Sequence, residues 1–258
     1  MTNLARRILY LVILSFAVAS VAFAADPFAG TWTLNLAKSQ LGGTLYTFDK
    51  KPSGVWHYSG GGFDTDFDLT GKEYVMPNGT SVAGKELSPT SWELTFRVNG
   101  KVTARSKVTL AGNTLNWVSD VTSPDGKPVQ QTSMDTRVSG GPGFGGKWKS
   151  GDVKGAATTL KITTDGANGI TVELPQYQTI CKASFDGKDY PVTQAGQPTK
   201  MTYAFSKTGS TGFKLTTKLG GKTFAVGEFT VSADGKTLTD NETATATNEK
   251  TRAVYDRQ

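Results

Sequence analysis

His57 and Cys181 are the single histidine and single cysteine of this 258-residue chain, so metal and nucleophile chemistry have few places to reside. His57 lies in Val55-Trp56-His57-Tyr58, where it could shuttle protons or ligate haem. In an extended segment it points away from both flanking aromatics. If Trp56 and Tyr58 turn inward, His57 faces solvent; the opposite register would bring it into the interior. Asp64, Asp66 and Asp68 alternate as the first acids of a calcium loop do. Such a loop needs Gly at its sixth place and Glu at its twelfth, where this chain carries Leu69 and Val75. The three carboxylates are therefore expected on a solvated strand face, opposite Phe63, Phe67 and Leu69. Cys181 shares strand parity with Ala183 and Phe185 and has no histidine near it in sequence, which predicts a small buried apolar residue. No Gly-x-Ser-x-Gly elbow or zinc-type spacing occurs, and no helix pattern follows Gly60-Gly61-Gly62 to cradle a phosphate. No catalytic residue, metal ligand or cofactor is assigned.

The elements that must position any site begin after an export signal. Arg6 and Arg7 precede an apolar run from Ile8 to Phe23, and Ala22-Phe23-Ala24 supplies small residues at a cleavage site. The run, about 16 residues, is shorter than the roughly 20 that a spanning helix needs. Residues 1–24 are thus expected to be a cleaved signal peptide, and the protein to be exported, periplasmic or extracellular, with no membrane span after cleavage. Removing 24 of 258 residues leaves 234, and losing Arg6 and Arg7 lowers the formal charge from +6 to +4. Lys and Arg are scattered, with no long like-charge run, which speaks against a nucleic-acid partner. One cysteine forbids an intramolecular disulfide, so burial and strand pairing must supply the stability.

Period-two alternation runs through the mature chain. Trp92, Leu94, Phe96 and Val98 alternate with Ser91, Glu93, Thr95 and Arg97, and Met201, Tyr203 and Phe205 follow the same rule. Asn99-Gly100, Asp125-Gly126, Asp186-Gly187, Gly220-Gly221 and Asp234-Gly235 supply hairpin turns. The chain also repeats itself. Phe28-Ala29-Gly30-Thr31-Trp32 returns as Phe144-Gly145-Gly146-Lys147-Trp148, and Gly71-Lys72-Glu73-Tyr74 as Gly187-Lys188-Asp189-Tyr190, both 116 positions on. Arg137 recurs as Arg257, 120 positions on. The expected organisation is a first repeat over 25–139, a Gly/Pro linker over 140–143 and a second repeat over 144–258. Each repeat has enough strand-like runs to close or to split into two layers, and closure removes exposed edges.

A Gly-x-Trp on the first strand and an Arg on the last, present in both repeats, resemble the lipocalin or broader calycin pattern. The resemblance implies an all-β chain of two tandem antiparallel up-and-down barrels, internally duplicated, with an arginine laid over each indole. It implies that Gly30, Trp32 and Arg137 close the first barrel, and Gly146, Trp148 and Arg257 the second. The remaining aromatics Trp56, Trp92, Trp117, Tyr203 and Phe205 either line an apolar pocket or fill the core, because an eight-stranded barrel is near the size where both occur. The expected function is that of an exported non-catalytic binding protein holding a small apolar or amphipathic ligand. The alternative is an envelope or extracellular interaction module with filled barrels. An enzyme ranks third, since the sequence offers no acid–base pair. Whether duplicated copies stay separate or exchange strands is open at this stage.

Overall fold

The computed structural model describes residues 26–60, 63–76, 78–122, 126–155 and 158–258; the expected signal peptide, Gly61-Gly62 and Asp125 lie outside the described residues. Strand β1 (Gly30–Leu34) is followed by β2 (Leu45–Lys50), β3 (Trp56–Gly60), β4 (Phe63–Phe67), β5 (Thr70–Val75), β6 (Ser81–Ser88) and β7 (Ser91–Val98). Next come β8 (Lys101–Ala111), β9 (Thr114–Thr122), β10 (Pro128–Ser139), β11 (Gly146–Lys149) and the short β12 (Lys154–Gly155). The second half continues with β13 (Thr159–Asp165), β14 (Gly169–Leu174), β15 (Thr179–Ser184), β16 (Tyr190–Gln194) and β17 (Gln197–Lys207). It ends with β18 (Gly212–Leu219), β19 (Lys222–Val231), β20 (Thr237–Ala244) and β21 (Lys250–Arg257). The described residues contain two short 3-10 turns, Leu36–Lys38 and Pro175–Tyr177, and no α-helix.

These strands form two antiparallel, barrel-shaped sheets. One is nearly closed, in the order β4-β3-β2-β11-β10-β9-β8-β7-β6-β5, with β12 beside β10. The other is closed, running from β13 to β21 with β1 between its two ends. Turn chemistry sets the hairpins. Asn99 and Gly100 between β7 and β8 have φ of 49° and 74°, the paired positive values of a turn that follows the strand twist. Ala195-Gly196, between β16 and β17, takes the same conformation at 50° and 77°, with a residue that carries no turn signature.

The sheets cross the boundary between the two sequence repeats. Strand β1 pairs with β13 and β21, setting Trp32 opposite Leu160 and Arg257. Strand β11 pairs with β10 and β2, setting Trp148 opposite Arg137 and Tyr46. The implied pairing of Trp32 with Arg137 and of Trp148 with Arg257 is therefore corrected: each repeat lends its Gly-x-Trp strand to the other's barrel. Chain connectivity explains the exchange. The linker lets β11 turn back directly on β10, and a short closure costs less entropy than a long one. With that slot filled, β1 completes the second barrel.

Each exchanged strand is locked alike. The Trp32 indole N–H donates to the Phe28 carbonyl and the Trp148 indole N–H to the Phe144 carbonyl, both at 2.9 Å. The Arg257 guanidinium lies 4.1 Å from the Trp32 ring centre, and Arg137 lies 4.0 Å from Trp148. Arg257 also donates to the carbonyls of Pro27, Ala29 and Gly235. Gly30 has φ of 153°, and a Cβ there would sit 2.7 Å from the Arg257 guanidinium. The glycine is needed for the bracket to close.

Both barrels bury an aromatic core. In the second, Phe28, Trp32, Phe205, Phe213 and Leu238 are essentially inaccessible, and Phe213 stacks on Phe229 at 4.6 Å. In the first, Trp92 stacks on Phe144 at 3.7 Å and meets Trp56 edge-on at 4.8 Å. The barrels also touch. The Glu249 carboxylate accepts from the Leu45 amide at 2.6 Å, and the Asn99 side chain donates to the Ala195 carbonyl at 3.0 Å.

Candidate functional site

The first barrel retains a cavity of about 360 Å³. Its walls are largely apolar, from Phe48, Phe67, Met76, Val82, Leu94 and Phe96. Strand alternation delivers them: Leu94 and Phe96 are every second residue of β7, and Val82 faces Phe96 across the β6–β7 ladder. The lumen survives because aromatic packing is concentrated in Trp56, Trp92, Phe144 and Trp148, which do not line it.

Three polar residues meet at this wall. The Tyr46 hydroxyl donates to Asp135 Oδ2 at 2.5 Å, and the Gly151 amide donates to Asp135 Oδ1 at 3.0 Å. Asp135 is 4% exposed. Burial raises its carboxyl above the ordinary carboxylate range, against the opposing effect of its hydrogen bonds. Burial and then the Asp135 charge push the Tyr46 phenol far up, and the same two causes take Tyr58 to about 12. The indole N–H of Trp117 faces Tyr46 and Asp135 but makes no hydrogen bond of good geometry. Gly151 follows β11, so a residue of the second repeat fixes an acid of the first. The segment that follows the exchanged strand, Ser150 and Gly151, is part of the site.

The five aromatics expected to line a pocket are dispersed. Trp117 lines the cavity, whereas Trp56 and Trp92 lie in the packed cluster. Tyr203 lines a separate pocket of about 300 Å³ between the barrels, with Phe96 and Val98 on one side and Leu174 and Met201 on the other. Phe205 is fully buried in the second barrel's core. Tyr46, Tyr58 and Asp135 were not singled out by sequence reasoning. A signal for Asp135 existed: it stands two residues before Arg137 and so shares the inward face that the guanidinium requires.

His57 points outward, as inward Trp56 and Tyr58 imply. Its Nδ1 lies 2.7 Å from Asp66 and its Nε2 3.5 Å from Asp64, while Lys51 contacts both oxygens of Asp66. Asp68 leaves the strand face and accepts from the Thr70 amide and hydroxyl and from the Tyr74 hydroxyl. Cys181 is buried among apolar side chains, and desolvation pushes its thiol up to about 12. Among the described residues no cluster of three or more His, Cys, Asp or Glu side chains could hold a metal ion, and no helix is long and apolar enough to cross a membrane.

The second barrel carries a permuted version of the same polar set. Register places Leu160 where the first barrel has Tyr46, and Tyr255 where it has Asp135. Asp240 then matches Trp117, since Leu238 faces Tyr255 as Leu115 faces Asp135. Asp240 Oδ1 has no hydrogen-bond partner, and burial, reinforced by the Glu242 charge, raises this carboxyl to about 8. No protein-family model matches the chain, and no curated protein or solved structure matches it either.

Proposed function

We propose that this is an exported, non-catalytic binding protein of lipocalin-like design, which holds a small apolar or amphipathic ligand in the lumen of its first barrel. The supporting observation is the 360 Å³ cavity, apolar over most of its wall and polar around Tyr46, Tyr58 and Asp135. Such a container binds by shape and desolvation, with a few polar groups fixing orientation. Export rests on the charged and apolar character of residues 6–24. Nothing in the wall pairs a free base with a free acid, since both oxygens of Asp135 already accept protein hydrogen bonds.

Titration with the neutral apolar dye N-phenyl-1-naphthylamine tests this reading. Saturable one-to-one binding is expected, and Val82→Trp, which fills the lumen from a buried wall position, should weaken it at least tenfold without lowering Tm. Unsaturable binding, or equal binding by the filled variant, would overturn it. The interaction-module reading draws on Val118, Met134 and Val138, apolar side chains exposed on β9 and β10. That reading predicts dye binding indifferent to the Val82 substitution.

A further inference from the structure

The charge character of the lumen narrows the ligand. Among the described residues the cavity is lined by no lysine, arginine or histidine. Its one ionisable acid is Asp135, whose two oxygens are already taken by Tyr46 and Gly151. The other polar groups of the wall are the hydroxyls of Thr44, Tyr58, Thr65 and Ser150 and the Trp117 indole, all uncharged. Neighbouring cations lie elsewhere: Lys51 is engaged with Asp66 on the outer face, and Arg137 is spent on the Trp148 ring and on the carbonyls of Gly143 and Gly145.

A carboxylate entering this space would lose its hydration, find no counter-ion and face an acid already there, three costs of the same sign. An ammonium would avoid the repulsion but would lose its own hydration to an apolar wall whose single acid has only one lone pair left on each oxygen after Tyr46 and Gly151. A hydroxyl or carbonyl head avoids all of this, because it can exchange hydrogen bonds with the wall hydroxyls while its body fills the apolar space. From this geometry, and resting on the binding reading above, we infer that the first barrel selects uncharged amphiphiles, headed by an alcohol or carbonyl, and rejects fatty carboxylates.

Displacement of bound N-phenyl-1-naphthylamine by three ligands of equal chain length, dodecanol, dodecanoate and dodecylammonium, tests the inference on the full mature chain. At pH 8 dodecanol should displace the dye at least tenfold more effectively than either ion. Dodecanoate should gain as pH falls and its head is neutralised, and Asp135→Asn should narrow its deficit by removing the resident acid. Dodecanoate or dodecylammonium matching dodecanol at pH 8 in the wild-type protein overturns charge selection while leaving the container reading intact. Failure of the dye itself to bind overturns both, so the two failures are distinguishable.

Discussion

Asp135 and Asp240 both face into their barrels, two ladder positions apart in matched strand pairs, the first buried and the second partly buried, and only Asp135 has its two oxygens satisfied by the protein. An unpaired buried carboxyl is cheapest when protonated. Asp240, at about 8 in the folded chain, lies well above the roughly 3.9 of an unfolded aspartate. Between those two values the native state binds more protons than the unfolded state, so this group's contribution to stability falls as pH rises from about 4 to about 8, then levels off. Glu242, also raised by burial, acts in the same direction. Asp240→Asn removes the larger effect. The variant should show a flatter Tm profile than wild type between pH 5 and pH 9 and should be the more stable of the two at pH 9. Parallel profiles would show that Asp240 is paired or solvated in the folded protein.

At the scale of elements, the Gly-x-Trp strand is a detachable closing piece. The matched Trp and Arg positions were legible from the repeat, and the bracket between them was what the calycin resemblance implied. The partner assignment was not legible, since either strand satisfies the same chemistry and only the linker decides which slot is filled first. A double-mutant cycle reads the assignment directly. Trp32→Phe combined with Arg257→Gln should show a coupling of about 0.5–2 kcal/mol, the worth of a guanidinium over an indole. Trp32→Phe with Arg137→Gln should be additive within about 0.5 kcal/mol, as for distant sites. Coupling to Arg137 instead would contradict the exchange. Strand β10 shows why the site itself was hidden. Its apolar Met134 and Val138 are more than half exposed, while Gln131, Ser133, Asp135 and Arg137 share the inward parity. The usual rule of apolar in and polar out is inverted there, so Asp135 reads as a surface acid.

For the whole molecule, exchange makes each barrel depend on both repeats. The first barrel's cavity acid is held by Gly151, and the second barrel closes only through β1. The two lumens are also unlike: one keeps an apolar space beside a satisfied acid, and the other is occupied by Phe205, Phe213 and Phe229, the last facing an unsatisfied one across the β19–β20 ladder. All-β architecture, hairpins and the repeat were readable from alternation and turn residues, which are local. Cavity volume was not, because it depends on how side chains from ten strands meet, and those strands span both repeats. Native mass spectrometry of the protein, purified from its own host beside the Val82→Trp variant, tests the container reading most directly. One extra mass is expected on the wild-type protein, lost on denaturation, matching an uncharged amphiphile and missing from the variant. A bare polypeptide mass for both proteins would contradict it.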